Sequence, residues 1–178
     1  MIDNDIMCPT CMISYLYYAL GGGDAMNQYE RLLHAAQKDG VEVVDYKFNS
    51  DTIKGLYYNG TIAINNRLDT IEKACVLAEE LGHHFTSAGD IIDQNNMGNR
   101  KQEKKARLWA YKKMVTIDKL ISAFEAGCRN KYEIAEHIEV TEDFLQEALD
   151  RYREIYGAGV QVRDYLIIFN PLQIGRLF

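Results

Sequence analysis

With 178 residues, 47% of them apolar, the chain can build one compact domain with a true core, and two prolines with 13 glycines exclude long disordered tracts. A net charge of −6 argues against a general nucleic-acid binder, which needs a basic surface for phosphates, although a local basic face stays compatible with it. The four cysteines, Cys8, Cys11, Cys75 and Cys128, contain a single Cys-x-x-Cys pair. A zinc ribbon needs two such pairs, or one pair with closely spaced histidines, so the reading is four reduced thiols in a cytoplasmic protein, with Cys75 a buried small thiol.

Along the chain, residues 12–20 (MISYLYYAL) are apolar, but the run is shorter than the roughly 20 residues of a membrane span, and no basic residue precedes it as in a signal peptide. Gly21-Gly22-Gly23-Asp24 then breaks the chain. Residues 1–25 are expected to be a poorly ordered extension, with the functional domain opening near Met26. Residues 27–38 read as a helix with Tyr29, Leu32, Leu33 and Ala36 on one face, stopped by Asp39-Gly40. Residues 41–48 (VEVVDYKF) read as a strand, and 56–58 with 61–65 as a hairpin around Asn59-Gly60. Asp69 opens a helix expected to run to about Phe85, burying Ile71, Ala74, Cys75, Ala78, Gly82 and Phe85. A polar loop over 86–99 leads to a helix at 100–114 with Ala106, Trp109, Ala110 and Met114 inward, and another follows at 117–126. Residues 131–138 and 142–156 form a helix-turn-helix pattern with Thr141 as cap, and 160–169 a closing hairpin around Arg163-Asp164.

The informative segment is Ala78-Glu79-Glu80-Leu81-Gly82-His83-His84. Zinc peptidases place His-Glu-x-x-His on a helix because residues four apart share a face, so both side chains reach one metal. The glutamate after the first ligand lies about 100° around the helix, where it is placed to hold water as a general base. Glu79 stands at the first-histidine position, Glu80 at the general-base position and His83 at the second-histidine position. A carboxylate is an acceptable zinc ligand, so Glu79 and His83 make a two-point clamp. Glu103, on the following helix with Ala106 and Ala110, is the candidate third ligand.

These features, with the strand over 61–65, make the chain resemble the ImmA/IrrE family of metallo-endopeptidases. The resemblance is good over residues 26–114 and weaker over 129–156, where members carry a helix-turn-helix-like segment. It implies an α+β, zincin-like fold over residues 26–127: a small mixed sheet packed on the metal-site helix. The helix-turn-helix-like segment and closing hairpin follow over residues 128–178. It implies metal ligands at Glu79, His83 and Glu103, general base Glu80, and Zn2+ or another divalent metal. It also implies a partner: members of prophage and mobile-element type cleave a helix-turn-helix (Xre-type) repressor and so relieve repression.

Glu79 departs from the usual histidine. Two carboxylates and one imidazole make a divalent zinc site formally neutral, which weakens it as a Lewis acid and makes manganese relatively less disfavoured. The alternative reading is a catalytically impaired repressor-binding protein with a vestigial metal site. A third, a DNA-binding regulator, is disfavoured because Glu133, Glu136, Glu139, Glu142, Asp143, Glu147 and Asp150 crowd its helices. The bland reading of Glu79-Glu80 is a solvated helix face; that of His84 is a ring packed on the following loop; that of Asp90 and Asp93 is turn formation. Tyr111 and His137 are candidate donors to a developing oxyanion, although a buried tyrosine and a surface histidine are the plainer readings. The strand over 61–65 is a candidate substrate-pairing edge strand.

Overall fold

The computed structural model describes residues 26–50, 52–86 and 97–177. The expected extension over residues 1–25, with Cys8 and Cys11, and the loop aspartates Asp90 and Asp93 lie outside the described residues.

Helix α1 (Gln28–Lys38) opens on a reciprocal capping box: Glu30 N–H donates to the Asn27 side chain and Asn27 N–H to the Glu30 carboxylate, both at 2.9 Å. Leu32 and Ala36 are buried on its inner face. Strands β1 (Glu42–Tyr46), β2 (Gly55–Tyr58) and β3 (Thr61–Asn65) follow. Asn59 (φ 47°) and Gly60 (φ 84°) carry the left-handed backbone that a two-residue hairpin turn requires, so Asn-Gly fixes the β2–β3 register with Tyr58 opposite Thr61. β1 runs parallel to β3, giving a mixed sheet in the order β1-β3-β2. Thr61–Asn65 is therefore the central strand, not the edge strand expected, because Glu42–Tyr46 takes its second side; among the described residues the open edge beside the helix is β2. Alternation along β3 buries Ile62 and Ile64 completely.

Helix α2 (Thr70–Thr86) begins at Asp69, whose carboxylate accepts from Glu72 N–H at 2.8 Å while Glu72 accepts from Asp69 N–H at 3.2 Å. Its apolar surface is wider than the expected stripe: Val76, Leu77 and Leu81 are buried with Ala74, Cys75, Ala78 and Gly82, whereas Ile71 and Phe85 are exposed. The reason is position. α2 is covered by the sheet on one side, by α1 on another, and by α3 (Met97–Met114) on a third. A methyl group at Gly82 would stand 2.3 Å from the Ala106 carbonyl oxygen, so the glycine lets the α2 and α3 backbones touch.

Helices α4 (Ile117–Glu125), α5 (Lys131–His137) and α6 (Glu142–Tyr156) are capped by Thr116, Asn130 and Thr141, each accepting from the backbone N–H three residues on. Strands β4 (Gly159–Val162), β5 (Tyr165–Phe169) and β6 (Leu172–Arg176) form a separate antiparallel sheet; β6 extends the expected hairpin by one strand after the Asn170-Pro171 turn. One buried cluster runs from Leu32 through Ile62, Leu77 and Met114 to Leu145, Leu149 and Phe169. Tyr152 ties α6 into it, its buried hydroxyl donating to the carbonyls of Val115 (2.7 Å) and Tyr111 (3.0 Å). The class is the α+β class expected, with the mixed sheet against α2. Among the described residues no helix is long and apolar enough to cross a membrane.

Candidate metal centre

The α2–α3 crossing brings His83 and Glu103 together. With Gly82 removing any side chain between the backbones, His83 Nε2 and Glu103 Oε2 lie 3.3 Å apart. Two donors each about 2.0–2.1 Å from a tetrahedral zinc stand roughly 3.3–3.4 Å apart, so the separation equals one edge of such a site. The pair sits at the surface, the His83 side chain 20% and the Glu103 side chain 45% accessible, open to an ion from solvent.

Glu79 lies one helical turn before His83. It lines a cavity of about 200 Å³ with Lys54, Cys75, Arg107, Thr141 and Glu147. Burial raises its pKa, and the nearby Arg107 charge opposes that rise, while Glu147 and Glu103 reinforce it. Among the described residues no three His, Cys, Asp or Glu side chains are gathered closely enough to hold a metal ion. The structure thus pairs His83 with Glu103, while Glu79, one turn before His83 on α2, shares its cavity with Arg107. One imidazole and two carboxylates are donor types a divalent cation takes, but here only His83 and Glu103 come together and the Glu79 side chain stands apart from them, so the three do not form a ligand set.

Glu80 faces the other way, onto β2. A methyl group at Gly55 would stand 3.1 Å from Glu80 Oε1, and the Tyr57 backbone N–H donates to the Glu80 carboxylate. Burial, then the Glu79 charge, push its pKa up to about 7, against the pull of the Tyr57 N–H. A carboxylate titrating near neutrality suits a general base and acid.

Beside it runs an aromatic wall. Tyr57 and His84 share a hydrogen bond of 2.9 Å between the hydroxyl and Nδ1, His84 packs edge-on to Phe85, and Phe85 stacks on Trp109 at 5.0 Å. His84 is thus held by β2; the loop over 87–96, against which it was expected to pack, lies outside the described residues. Of the candidate oxyanion donors, Tyr111 is buried and its hydroxyl donates to Glu147 at 2.7 Å; His137 meets Ser122 at 3.2 Å between α4 and α5. Cys75 is buried, accepts from Thr141 N–H, and its thiol is pushed up to about 11 by burial, as an inert core thiol should be.

Three residues at this site escaped sequence reasoning. Tyr57 lay within a hairpin and carried no motif. Arg107 repeats the four-residue spacing of Glu103 with its own helix, which was the signal available for it. Glu147 was read as one more acidic residue of the helix-turn-helix pattern.

A small mixed sheet lying on one long helix, with further helices around it, is consistent with a zincin-like α+β protein. The family model of the IrrE N-terminal-like domain, Peptidase_M78, matches residues 36–150, and the chain belongs to that family, a metal-dependent kind of peptidase. No curated protein and no solved structure matches the chain.

Proposed function

We propose that the protein is a cytoplasmic metallo-endopeptidase in which Glu79, His83 and Glu103 hold Zn2+ or another divalent metal and Glu80 is the general base. Its substrate is a helix-turn-helix (Xre-type) repressor of a phage or integrative element. The observation that carries the reading is the 3.3 Å approach of His83 to Glu103 across two helices, with Glu80 three residues before His83 on the same helix and its carboxylate turned toward β2. The substrate assignment draws on family membership.

When bound, the metal supplies Lewis acidity toward the scissile carbonyl and makes water easier to ionise. The protein supplies the rest. The edge of β2 offers main-chain groups to an extended peptide, and Tyr57, His84 and Phe85 form a run of packed rings beside it. Glu80 takes the proton of the attacking water and delivers it to the leaving amine, its raised pKa letting it do both near neutrality. The pair of carboxylates Glu79 and Glu103 keeps the site less electrophilic than a two-histidine site, so turnover is slow.

The test is co-incubation with a purified helix-turn-helix (Xre-type) repressor, taken from the neighbouring gene where that gene encodes one, with and without a chelator. Metal-dependent fragments support the reading, and Glu80→Gln is expected to cut the rate by roughly 10²–10⁴-fold, the usual worth of a general base, while repressor binding persists. A second reading, a binder with a vestigial site, is favoured by Glu79 sharing its cavity with Arg107 rather than completing the His83–Glu103 pair. Stable association without fragments at any metal concentration would select it.

A further inference from the structure

We propose that the outer face of the mixed sheet, over Tyr46, Leu56 and Tyr58, is the seat of residues 12–20 (MISYLYYAL) of the same chain. The inference goes beyond the metallopeptidase reading and stands independently of it. Register decides which side chains share this face. Val44 of β1, Ala63 of β3 and Leu56 of β2 are partners in one row across all three strands, and Tyr58 stands opposite Thr61 in the next. Residues paired in this way point to one side of a sheet, and residues two apart along a strand return to it, so Tyr46 joins Val44 there. The alternate set is turned toward α2: Ile62 and Ile64 are completely buried, and a methyl group at Gly55, the partner of Ile64, would stand 2.4 Å from Val76.

The outer face is apolar yet exposed. Tyr58 is 69%, Tyr46 55% and Leu56 54% accessible. Leu56, Tyr58 and Ala63 line an open hollow of about 350 Å³ on it. A sheet with one face in water ordinarily alternates apolar inward and polar outward. Here the polar outward members are Glu42 and Thr61, in one row at one end, and the rest of the face is valine, alanine, leucine and two tyrosines. A contiguous apolar surface of this kind marks a contact site.

The chain itself indicates the occupant. Residues 12–20, which lie outside the described residues, contain eight apolar side chains, one serine and no charge. Seven residues, 21–27, join that run to α1, and three of them are the glycines 21, 22 and 23. Seven residues reach at most about 25 Å. Helix α1, of 11 residues, is about 16 Å long, packs on β1 and hands the chain to it at Glu42. From the start of α1 the run therefore reaches the sheet. A tether this short holds it at an effective concentration on the order of millimolar, above that of a second copy in dilute solution, so the same molecule is favoured over another. Docking takes two apolar surfaces out of water at once.

The test is photo-crosslinking of the full chain with benzoylphenylalanine in place of Tyr58, whose exposure allows the exchange. Isotope-labelled and unlabelled chains are mixed, irradiated and digested, and the crosslinked peptides are read by mass spectrometry. The expected product joins position 58 to a peptide containing residues 12–20 of the same chain, at a yield that dilution leaves unchanged. Leu16→Asp and Leu56→Asp are each expected to lower that yield by about fivefold or more, because a carboxylate resists leaving water. A product that joins labelled to unlabelled chain assigns the face to a second copy and overturns the inference. A crosslink to any other segment, no crosslink, or a yield that neither substitution lowers also overturns it.

Discussion

Glu80 stands on α2 with its carboxylate against β2, where burial and the Glu79 charge lift its pKa from 4.5 to about 7. The sign of its effect on stability follows directly. Between those values the folded protein binds more protons than the unfolded chain, so unfolding free energy falls as pH rises from about 4.5 to about 7 and then levels. At 1.36 kcal/mol per pKa unit the full effect is on the order of 3 kcal/mol. Denaturant titrations of the metal-free protein across this window should show the decline, and Glu80→Gln should flatten most of it. A wild-type protein whose stability is level or rising over the same range would mean that Glu80 is not held in the low-dielectric environment described. Tyr57 acts at the same scale: one residue gives Glu80 a backbone donor and His84 a hydroxyl partner, so β2 orients both side chains that flank the proposed metal ligands.

Helix α2 does its work through its contact with α3, and Gly82 sets how near the two approach. A methyl group there meets the Ala106 carbonyl oxygen at 2.3 Å and its carbon at 2.9 Å, both backbone atoms that no rotamer change can move aside. Gly82→Ala gains about 1 kcal/mol of helix propensity but forces the helices apart. A net loss of roughly 2 kcal/mol is expected from chemical denaturation, together with weaker metal binding, because His83 and Glu103 sit on opposite sides of this crossing. A variant as stable as wild type and equal in metal affinity would show that the crossing does not set the separation of the pair. The helix pattern over 100–114 was visible in Ala106, Trp109, Ala110 and Met114, yet the partner of that face was not, since periodicity tells which side is buried and never against what.

Across the whole molecule, the helix-turn-helix-like pair α5–α6 shares the core of the sheet and α2. Phe144, Leu145, Ala148, Leu149 and Tyr152 of α6 are all buried in the cluster that contains Leu77 and Met114. Four of them are large, and at roughly 2 kcal/mol each their loss approaches the entire stability of an ordinary domain. A fragment of residues 26–127 is therefore expected to lack cooperative unfolding and near-ultraviolet dichroism; a fragment that melts cooperatively would show that the zincin-like part stands without α6. The same packing keeps Glu142, Asp143 and Asp150 of α6 exposed.

Local chemistry was legible in the chain alone. Asn59-Gly60 dictates a turn because both residues accept positive φ, Asp69 and Thr141 dictate helix starts because their side chains bond free backbone N–H groups, and the four-residue step from Glu79 to His83 puts both on one helical face. Each of these is settled by neighbours within a few residues. What only the tertiary structure decided was everything that depends on distant segments meeting. Thr61–Asn65 became a central strand because a parallel strand from earlier in the chain took its other side. Glu103 met His83 because Gly82 let two backbones touch, and Glu79 kept company with Arg107 and Glu147 because α6 folded back over α3. Spacing along a helix fixes direction, whereas distance between helices is set by the smallest side chains at their crossing, and no local pattern states which helix will be on the other side.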